Sequence, residues 1–571
     1  MAKIFLADKS NLLLSVSIFS IVLVVLSGII FTGKVTAETI DSTTLPAGLL
    51  YRLKGNTPVD EFGHSVAVLG DLNQDGFNEI LIGAPNDDVG FNNAGAARVY
   101  SGRDQQVLQV LSGDAQDWFH GSGVGNAGDI DRDGINDIIV GMKASGKTGQ
   151  GPGGGARVFS GRSGKVLYFF AGSIVDDKFG QAVSGVGDVN ADGWNDMAVG
   201  APATYKNNAP GYVYVYSGKD GELLYKLSAT PSRKGDRFGF HVNRAGDVNG
   251  DGHDDVLVGS IGDADNGRHS GAAYVFSGKN GQVIYRFIGD KSPDELGHSV
   301  SPVDDLDGDS HPDIYAAAFN TETISYARVY GSRDGKLLYE FRGDEVGDGF
   351  GHSIAGVGDV NNDGVNDFLA GAPDASLSTP LPWYKRWFVK KKTPGYARVY
   401  SGQDGSVIAT YKGEANKHIG YVVSGAGDIN KDGFADMLLG STVFDDVGEV
   451  WVVSACAVIN NNQNKTKASP LRWIAATKSS AGKPAARGAL QLSTKLVNTA
   501  GSVHACEVSN MQACTRQQAL FSLPYTMTSA NQPVTIPFTP RMPDFAGKRV
   551  KFVIETAGIL QPTGIEALLC R

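Results

Sequence analysis

Seven short segments of this chain space acidic side chains in a pattern that suits a metal ion. Each follows D-x-[DN]-x-D-G-x-x-[DE], as in DLNQDGFNE from Asp71, with Ser310 replacing the glycine in the fifth copy. Side-chain oxygens at positions one, three, five and nine, with the main-chain carbonyl at position seven, are hard donors of the kind that Ca²⁺ prefers. The sequence therefore predicts up to seven structural Ca²⁺ sites. The predicted ligands are Asp71, Asn73, Asp75, Phe77, Glu79; Asp129, Asp131, Asp133, Ile135, Asp137; Asp188, Asn190, Asp192, Trp194, Asp196; Asp247, Asn249, Asp251, His253, Asp255; Asp305, Asp307, Asp309, His311, Asp313; Asp359, Asn361, Asp363, Val365, Asp367; and Asp428, Asn430, Asp432, Phe434, Asp436.

An ordinary turn is the alternative interpretation of any one copy, because Asp, Asn and Gly are common in turns. Repetition favours the metal site. Each copy places three or four carboxylates within nine residues, and carboxylates so close together repel one another unless a cation neutralises them. The formal charge of −10 also disfavours nucleic acid as a partner.

The acidic segments recur with a period close to 59 residues over most of the 571-residue chain. Each period has room for four short strands rich in branched and aromatic residues, separated by Gly, Asn and Asp, which predicts one blade of a β-propeller. The seventh copy lacks a fourth strand, and Leu49–Gly55 matches the fourth strands of the other copies. We therefore expect an all-β fold in which residues 46–455 form a seven-bladed ring closed by the N-terminal strand.

Two further repeated motifs flank each acidic segment. Phe-Gly pairs precede it at 62–63, 179–180, 238–239 and 350–351, and Gly-Ala-Pro follows it at 83–85, 200–202 and 371–373. In this respect the chain resembles the FG-GAP repeats of the integrin α-subunit propeller and its bacterial relatives. The resemblance implies a seven-bladed β-propeller with calcium loops on one face, used for adhesion or partner binding.

Two motifs that suggest catalysis are better explained by structure. A phosphate-binding pattern, GMKASGKT, runs from Gly141 to Thr148, but the glycine-rich stretch after it cannot form the helix that such a loop requires. We therefore expect no nucleotide ligand. His64, His298 and His352 each precede a serine at the same repeat position, which predicts a shared packing or hydrogen-bonding role.

One insertion lengthens the sixth repeat. Residues Leu377–Thr393 lie between the second and third strands, and in a propeller blade that loop projects from the face opposite the acidic turns. Aromatic residues beside Arg and Lys often form binding hot spots, although such a loop can also fold over its own ring. The predicted partner-binding residues are Trp383, Tyr384, Arg386, Trp387 and Phe388.

Both ends of the chain differ from the ring. Residues 1–37 combine Lys3 and Lys9 with an apolar run, which predicts either a cleaved signal peptide or an N-terminal membrane anchor. After a linker at 456–469, residues 470–571 are basic and show strand-like alternation, so we expect a small β-rich, sandwich-like accessory domain that could bind an anionic surface. The four cysteines allow three disulfide pairings.

These features favour a secreted or cell-surface protein that is not an enzyme. We expect an extracellular calcium-binding adhesion or recognition protein, which binds a protein or glycan partner through the propeller face opposite the calcium turns. Two alternatives remain open. One is a secreted calcium-dependent enzyme that degrades polysaccharide or phospholipid on a propeller scaffold, and the other is a structural component of an envelope or matrix.

Overall fold

The described part of the chain consists of β-strands and turns. The computed structural model describes residues 48–454, except 144–153, 173, 175, 204–208, 321, 362, 374–393, 415–416 and 443–446, together with the backbone of seven strands between 471 and 568. No helix occurs among these residues. The predicted N-terminal segment (1–37), the linker (456–469), the residues of the aromatic insertion and the cysteine side chains lie outside them.

Residues 48–454 form seven antiparallel four-stranded sheets, the blades, and we name their strands A to D from the inside outwards. Strand A of each blade contacts strand A of the next, and the seventh contacts the first, so the blades close into a ring. The all-β, seven-bladed propeller predicted from the period is therefore confirmed. The strands of the first three blades are β2 (Ser65–Gly70), β3 (Glu79–Ala84), β4 (Ala96–Tyr100), β5 (Val107–Ser112); β6 (His120–Gly128), β7 (Asp137–Met142), β8 (Gly155–Phe159), β9 (Val166–Ala171); and β10 (Ala182–Gly187), β11 (Asp196–Ala201), β12 (Tyr212–Tyr216), β13 (Leu223–Leu227).

The remaining blades repeat the same order. Their strands are β14 (Phe238–Gly246), β15 (Asp255–Ser260), β16 (Ala272–Phe276), β17 (Val283–Ile288); β18 (Leu296–Val303), β19 (Asp313–Ala318), β20 (Tyr326–Tyr330), β21 (Leu337–Arg342); β22 (Ile354–Gly358), β23 (Asp367–Ala372), β24 (Tyr396–Tyr400), β25 (Val407–Lys412); and β26 (Val422–Gly427), β27 (Asp436–Ser441), β28 (Glu449–Ser454), with β1 (Leu49–Lys54) as the fourth strand of blade seven.

Burial along each blade explains its strand composition. All six residues of β3, and of each other B strand, are buried, because neighbouring blades cover both faces of that strand. Such strands are near-continuous apolar runs, as in EILIGA. The outer D strands alternate more, and β5 exposes Val107 and Val110 while burying Leu111. The core therefore consists of apolar layers between successive blades.

Two glycines in each repeat let adjacent blades approach closely. A Cβ atom on Gly83 would overlap the carbonyl oxygen of Gly121, and one on Gly200 would overlap that of Gly239. The first glycine of each pair comes from the Gly-Ala-Pro position, and the second comes from the Phe-Gly position of the next blade. Gly239 also has a φ of 85°, which glycine adopts without strain. Blade five departs from this pattern, because Ala317 occupies the B-strand position.

Buried aspartates in the D–A loops form hydrogen bonds that join these loops to the C strands. Asp348, two residues before Phe350, accepts a hydrogen bond from the Tyr396 hydroxyl at 2.7 Å, and the Asp177 and Tyr212 side chains form the same contact at 2.5 Å. These carboxylates also accept the main-chain N–H of the Phe residue that follows, at 3.0 Å in both blades. Each one thereby fixes the D–A loop that enters its blade.

The N-terminal strand closes the ring as predicted. Strand β1 pairs antiparallel with β28, with Leu53 opposite Val450, and Gly55 N–H donates to the Gly448 carbonyl at 3.0 Å. The Arg52 guanidinium lies 4.5 Å from the ring centre of Trp451, which is fully buried. Blade seven thus contains both the first strand of the propeller, β1, and its last three strands, β26 to β28.

The basic tail contains two antiparallel sheets. One has the strand order β29 (Leu471–Ile474), β30 (Gly488–Leu492), β33 (Val534–Phe538), and the other has β32 (Phe521–Thr526), β31 (Ala500–Glu507), β34 (Arg549–Thr556), β35 (Ile559–Leu568). The tail is therefore β-rich, and its packing as a sandwich stays a prediction.

Removing the closing strand should destabilise the whole ring. Deletion of Leu49–Lys54 removes the ladder to β28 and the buried side chain of Leu53, and loss of a buried leucine side chain alone costs about 2–5 kcal/mol. We expect a lower melting temperature by calorimetry, and Leu53→Ala should reproduce part of the effect. The exposed control Lys165→Ala should leave the melting temperature within error. A deletion variant that unfolds as cooperatively and at the same temperature as the parent would contradict closure by β1.

The close glycine contacts make a second prediction. Gly200→Ala introduces a Cβ that overlaps the Gly239 carbonyl, so the free energy of unfolding should fall by about 1–3 kcal/mol, as for other overpacked sites. The reciprocal change Ala317→Gly in blade five should cost only the roughly 0.5–1 kcal/mol of added chain entropy. Urea unfolding of both variants measures the difference. Equal effects would show that blade spacing does not depend on the paired glycines.

Candidate metal-binding turns

The seven acidic segments are the A–B turns of the seven blades, and all lie at the same end of the ring. Position six of each turn has a positive φ, from 83° to 91° in the six glycine copies and 73° at Ser310. Glycine adopts this conformation readily, whereas a serine is strained there. The sequence pattern therefore marks the point at which each loop reverses direction.

The first aspartate organises every turn. In blade one, Asp71 accepts the N–H of Asp75 at 2.9 Å on one carboxylate oxygen and the N–H of Gly76 at 2.7 Å on the other. The same two bonds recur in the other six turns. Position five in turn accepts the N–H of position seven in each copy. The acidic loops are thus folded by their own predicted ligands.

The ninth residue of each turn is a buried carboxylate, and in blades two to six it accepts hydrogen bonds from both the A–B turn and the C–D turn. Asp196 is fully buried and accepts the Val189 N–H from its own A–B turn and the Gly218 N–H from the C–D turn, both at 2.9 Å. Blades two, four, five and six repeat both bonds. In blade one, Glu79 accepts the Leu72 N–H. A carboxylate has about four lone-pair sites, so these bonds leave acceptor capacity for a cation.

Burial disfavours the charged form of these groups. It raises the pKa of Asp196, Asp255, Asp367 and Glu79 to about 7, and the neighbouring carboxylates at positions one and five add to the rise, while the backbone N–H bonds oppose it. The pKa of Asp137 and of Asp313 rises to about 6, mainly because both carboxyl groups are buried. A cation at the turn would favour ionisation of these carboxylates.

Three of the described turns bring carboxylate oxygens from three residues within 4.8 Å of one another. The clusters are Asp71, Asp75 and Glu79 in blade one; Asp129, Asp131 and Asp137 in blade two; and Asp305, Asp307 and Asp313 in blade five. Blades three, four, six and seven, like blade one, carry asparagine at position three, so the side chain at that position offers an amide oxygen in place of a carboxylate. The oxygen-rich donor set fits a hard divalent cation at each turn.

Contacts between adjacent turns are a feature that the sequence analysis missed. The Arg132 guanidinium of turn two lies 3.3 Å from the ring centre of Trp194 in turn three, and Lys431 lies 4.2 Å from that of Phe77 in turn one. His253 Nδ1 lies 2.8 Å from the Val189 carbonyl of the preceding turn. Position seven of one turn thus contacts the turn before it. The sequence could have indicated this contact only if the aligned repeats had been placed next to one another in a closed ring.

The opposite end of the ring carries the histidines that precede serine. His298 Nδ1 donates to the His352 carbonyl at 3.2 Å, and His352 Nδ1 donates to the Tyr421 carbonyl at 2.7 Å, each in the next blade. The shared hydrogen-bonding role predicted for His64, His298 and His352 therefore holds for His298 and His352, whereas Nδ1 of His64 is buried without a hydrogen-bond partner among the described residues. Trp383, Tyr384, Arg386, Trp387 and Phe388 lie outside the described residues.

Among the residues with described positions, no helix is long and apolar enough to cross a membrane.

Comparisons with known proteins agree with the repeat pattern. A family model described as FG-GAP repeat matches residues 62–100, and one described as FG-GAP-like repeat matches 188–258. The chain is 26% identical over 228 residues to integrin alpha-5 of Xenopus laevis, 31% over 175 residues to integrin alpha-4 of the same species, and 28% over 250 residues to integrin alpha-V of Gallus gallus.

These alignments cover 35%, 29% and 40% of this chain, and 20%, 16% and 22% of the three relatives. The chain thus spans about a fifth of the length of these relatives. Together with the seven blades, the paired glycines and the acidic A–B turns, the comparisons support an FG-GAP β-propeller that is similar to the N-terminal propeller of integrin alpha chains.

Proposed function

We propose that this chain is a non-enzymatic extracellular recognition protein whose acidic turns bind Ca²⁺ and whose opposite face binds a protein or glycan. The observation that carries the proposal is the repetition of one oxygen-rich turn, with the same internal hydrogen bonds, at a single end of all seven blades. The similarity to integrin alpha chains supports a role in adhesion or recognition. Secretion or surface display, through residues 1–37, is part of the proposal.

Calcium has a structural role in this proposal. Up to seven ions occupy the A–B turns, with oxygens at positions one, three, five, seven and nine as ligands, and offset the mutual repulsion of the carboxylates. Adjacent turns contact one another through pairs such as Arg132 and Trp194, so an ion that orders one turn also restrains its neighbours. The ring then presents the loops of its other end in a fixed arrangement, which lowers the entropy cost of binding a partner.

The partner face contains the B–C and D–A loops, which emerge opposite the acidic turns in an antiparallel blade. We propose that the insertion Leu377–Thr393 in blade six supplies contacts, with Trp383 and Arg386 among them. The basic domain at 470–571 is proposed as an accessory module that can bind an anionic surface. We propose no nucleotide or nucleic-acid ligand.

Calcium binding is tested by metal content and by unfolding. Purified protein dialysed against Ca²⁺ should contain up to seven equivalents by elemental analysis, and EDTA should lower its melting temperature. A site filled at a free Ca²⁺ concentration about 100-fold above its Kd stabilises the fold by about 2.7 kcal/mol. Asp129→Asn should remove about one equivalent. Glu222→Gln, which changes an exposed carboxylate on a C–D turn, should leave the stoichiometry unchanged.

The metal proposal fails if the protein dialysed against Ca²⁺ contains no divalent ion and EDTA leaves its unfolding curve unaltered.

Partner binding is tested on arrays of extracellular proteins and glycans, with Ca²⁺ or with chelator, beside a panel of polysaccharide and phospholipid substrates. We expect Ca²⁺-dependent binding without turnover. Deleting Leu377–Thr393 should weaken binding at least tenfold while lowering the melting temperature little, because the deletion leaves strands β23 and β24 intact. Substrate turnover that a single substitution outside the turns abolishes would contradict the non-enzymatic role.

A further inference from the structure

The central channel of the ring contains a cavity of about 740 Å³, lined by the A strands of all seven blades. At the end away from the acidic turns, the residue after each Phe-Gly-type glycine lies on its wall. We call these seven residues, with Lys143 and Lys178 beside them, the channel mouth. The seven are His64, Ser122, Gln181, Phe240, His298, His352 and Tyr421.

One side of the channel mouth is an arc of rings from five consecutive blades. Ring centres are 5.1 Å apart for Phe240 and His298, 4.9 Å for His298 and His352, 4.4 Å for His352 and Tyr421, and 5.9 Å for Tyr421 and His64. Interplanar angles between 40° and 56° show that these rings are tilted rather than stacked flat. A curved wall of this kind offers both ring surface and polar atoms to a ligand.

The imidazoles of this arc are neutral hydrogen-bonding groups. Since Nδ1 of His298 and of His352 donates to a carbonyl in the next blade, each neutral ring keeps a lone pair on Nε2. Burial lowers the pKa of His352 to about 4, which keeps it uncharged at neutral pH. No described residue hydrogen-bonds Nε2 of His298 or His352.

The other side of the channel mouth is positively charged. Lys143 faces the carboxylate of Glu61, and Arg237 faces that of Glu295. Lys178 lies within electrostatic reach of both cations and makes no ion pair with the described residues. Burial, together with the positive charges of Lys143 and Arg237, lowers its pKa to about 8. A half-buried ammonium group among other cations is a place where an anion is favoured.

Two buried polar atoms without hydrogen-bond partners also line the cavity. Gln181 Oε1 and His241 Nδ1 are buried on the cavity wall, and neither has a hydrogen-bond partner among the described residues. A buried polar atom without a hydrogen-bond partner is destabilising, so a ligand that supplies hydroxyl groups at these atoms would be favoured. A ligand that fits the channel mouth would thus carry an anionic group, several hydroxyl groups and a surface that can pack against aromatic and imidazole rings.

We propose that the channel mouth binds a carboxylate-bearing sugar of an acidic glycan, with the carboxylate at Lys178, the hydroxyls at Gln181 and the imidazole nitrogens, and the pyranose ring against the aromatic arc. The site rests on the proposed recognition function and names its ligand class. An acidic peptide side chain offers the charge, but it brings none of the hydroxyl groups that the two unpartnered buried atoms require. The glycan is therefore the ligand that the geometry favours.

The test is titration calorimetry of the full chain, in Ca²⁺, with a galacturonate oligomer and with its methyl-esterified form. The ester keeps the sugar rings and hydroxyls but removes the charge. We expect binding of the acid and at least tenfold weaker binding of the ester. Lys178→Met and His352→Phe should each raise the Kd at least tenfold, whereas Lys279→Met, an exposed lysine on a C–D turn, should leave it unchanged. Circular dichroism checks that each variant is folded.

Any of four results would overturn this assignment. The first three are that the parent chain binds neither form of the oligomer, that the acid and the ester bind equally, and that folded Lys178→Met retains full affinity. Binding of a poly-glutamate peptide in place of the oligomer would also overturn it and would assign the channel mouth to an acidic protein segment. If array binding in Ca²⁺ persists while the oligomer fails to bind, the recognition function stands and only the channel mouth is excluded as its site.

Discussion

The structure depends on a buried carboxylate at the end of each acidic turn. In blades two to six this group accepts one N–H from its own A–B turn and one from the C–D turn, as Asp196 does with Val189 and Gly218. A buried carboxylate without such bonds would be strongly destabilising. The two turns of the blade are therefore held in one arrangement, and the remaining acidic residues are positioned as a consequence.

The two ends of the ring have different chemistry because the blades are antiparallel meanders. One end collects the acidic turns, where backbone amides and carboxylates alternate. The other collects the loops that precede each A strand, where buried aspartates such as Asp348 hold the entering chain and imidazoles bridge successive blades. In the proposed function, a stiff ring between these ends would let cation binding at one of them support recognition at the other without a conformational change.

Two residues that differ from the repeat pattern show which positions of the repeat the fold requires. Ser310 adopts the positive φ that glycine holds in the other six turns, and Ala317 replaces a paired glycine. Both changes fall in blade five, and its strands still pair in order with the acidic turn in place. The repeat therefore tolerates one strained backbone position and one closer side chain, provided the hydrogen bonds around the first and ninth residues are kept.

The sequence alone determined the period, the seven blades, the closing strand and the spacing of the acidic side chains in the A–B turns, since each rests on local spacing that repetition makes unambiguous. It could not determine which turns gather three carboxylates, because that depends on how each loop folds around its own amides. It also could not show that Arg132 meets Trp194, or that Phe240, His298, His352 and Tyr421 form one arc beside Lys178. Those residues are about 55 to 70 positions apart, and only closure of the ring brings the same position of successive repeats into contact.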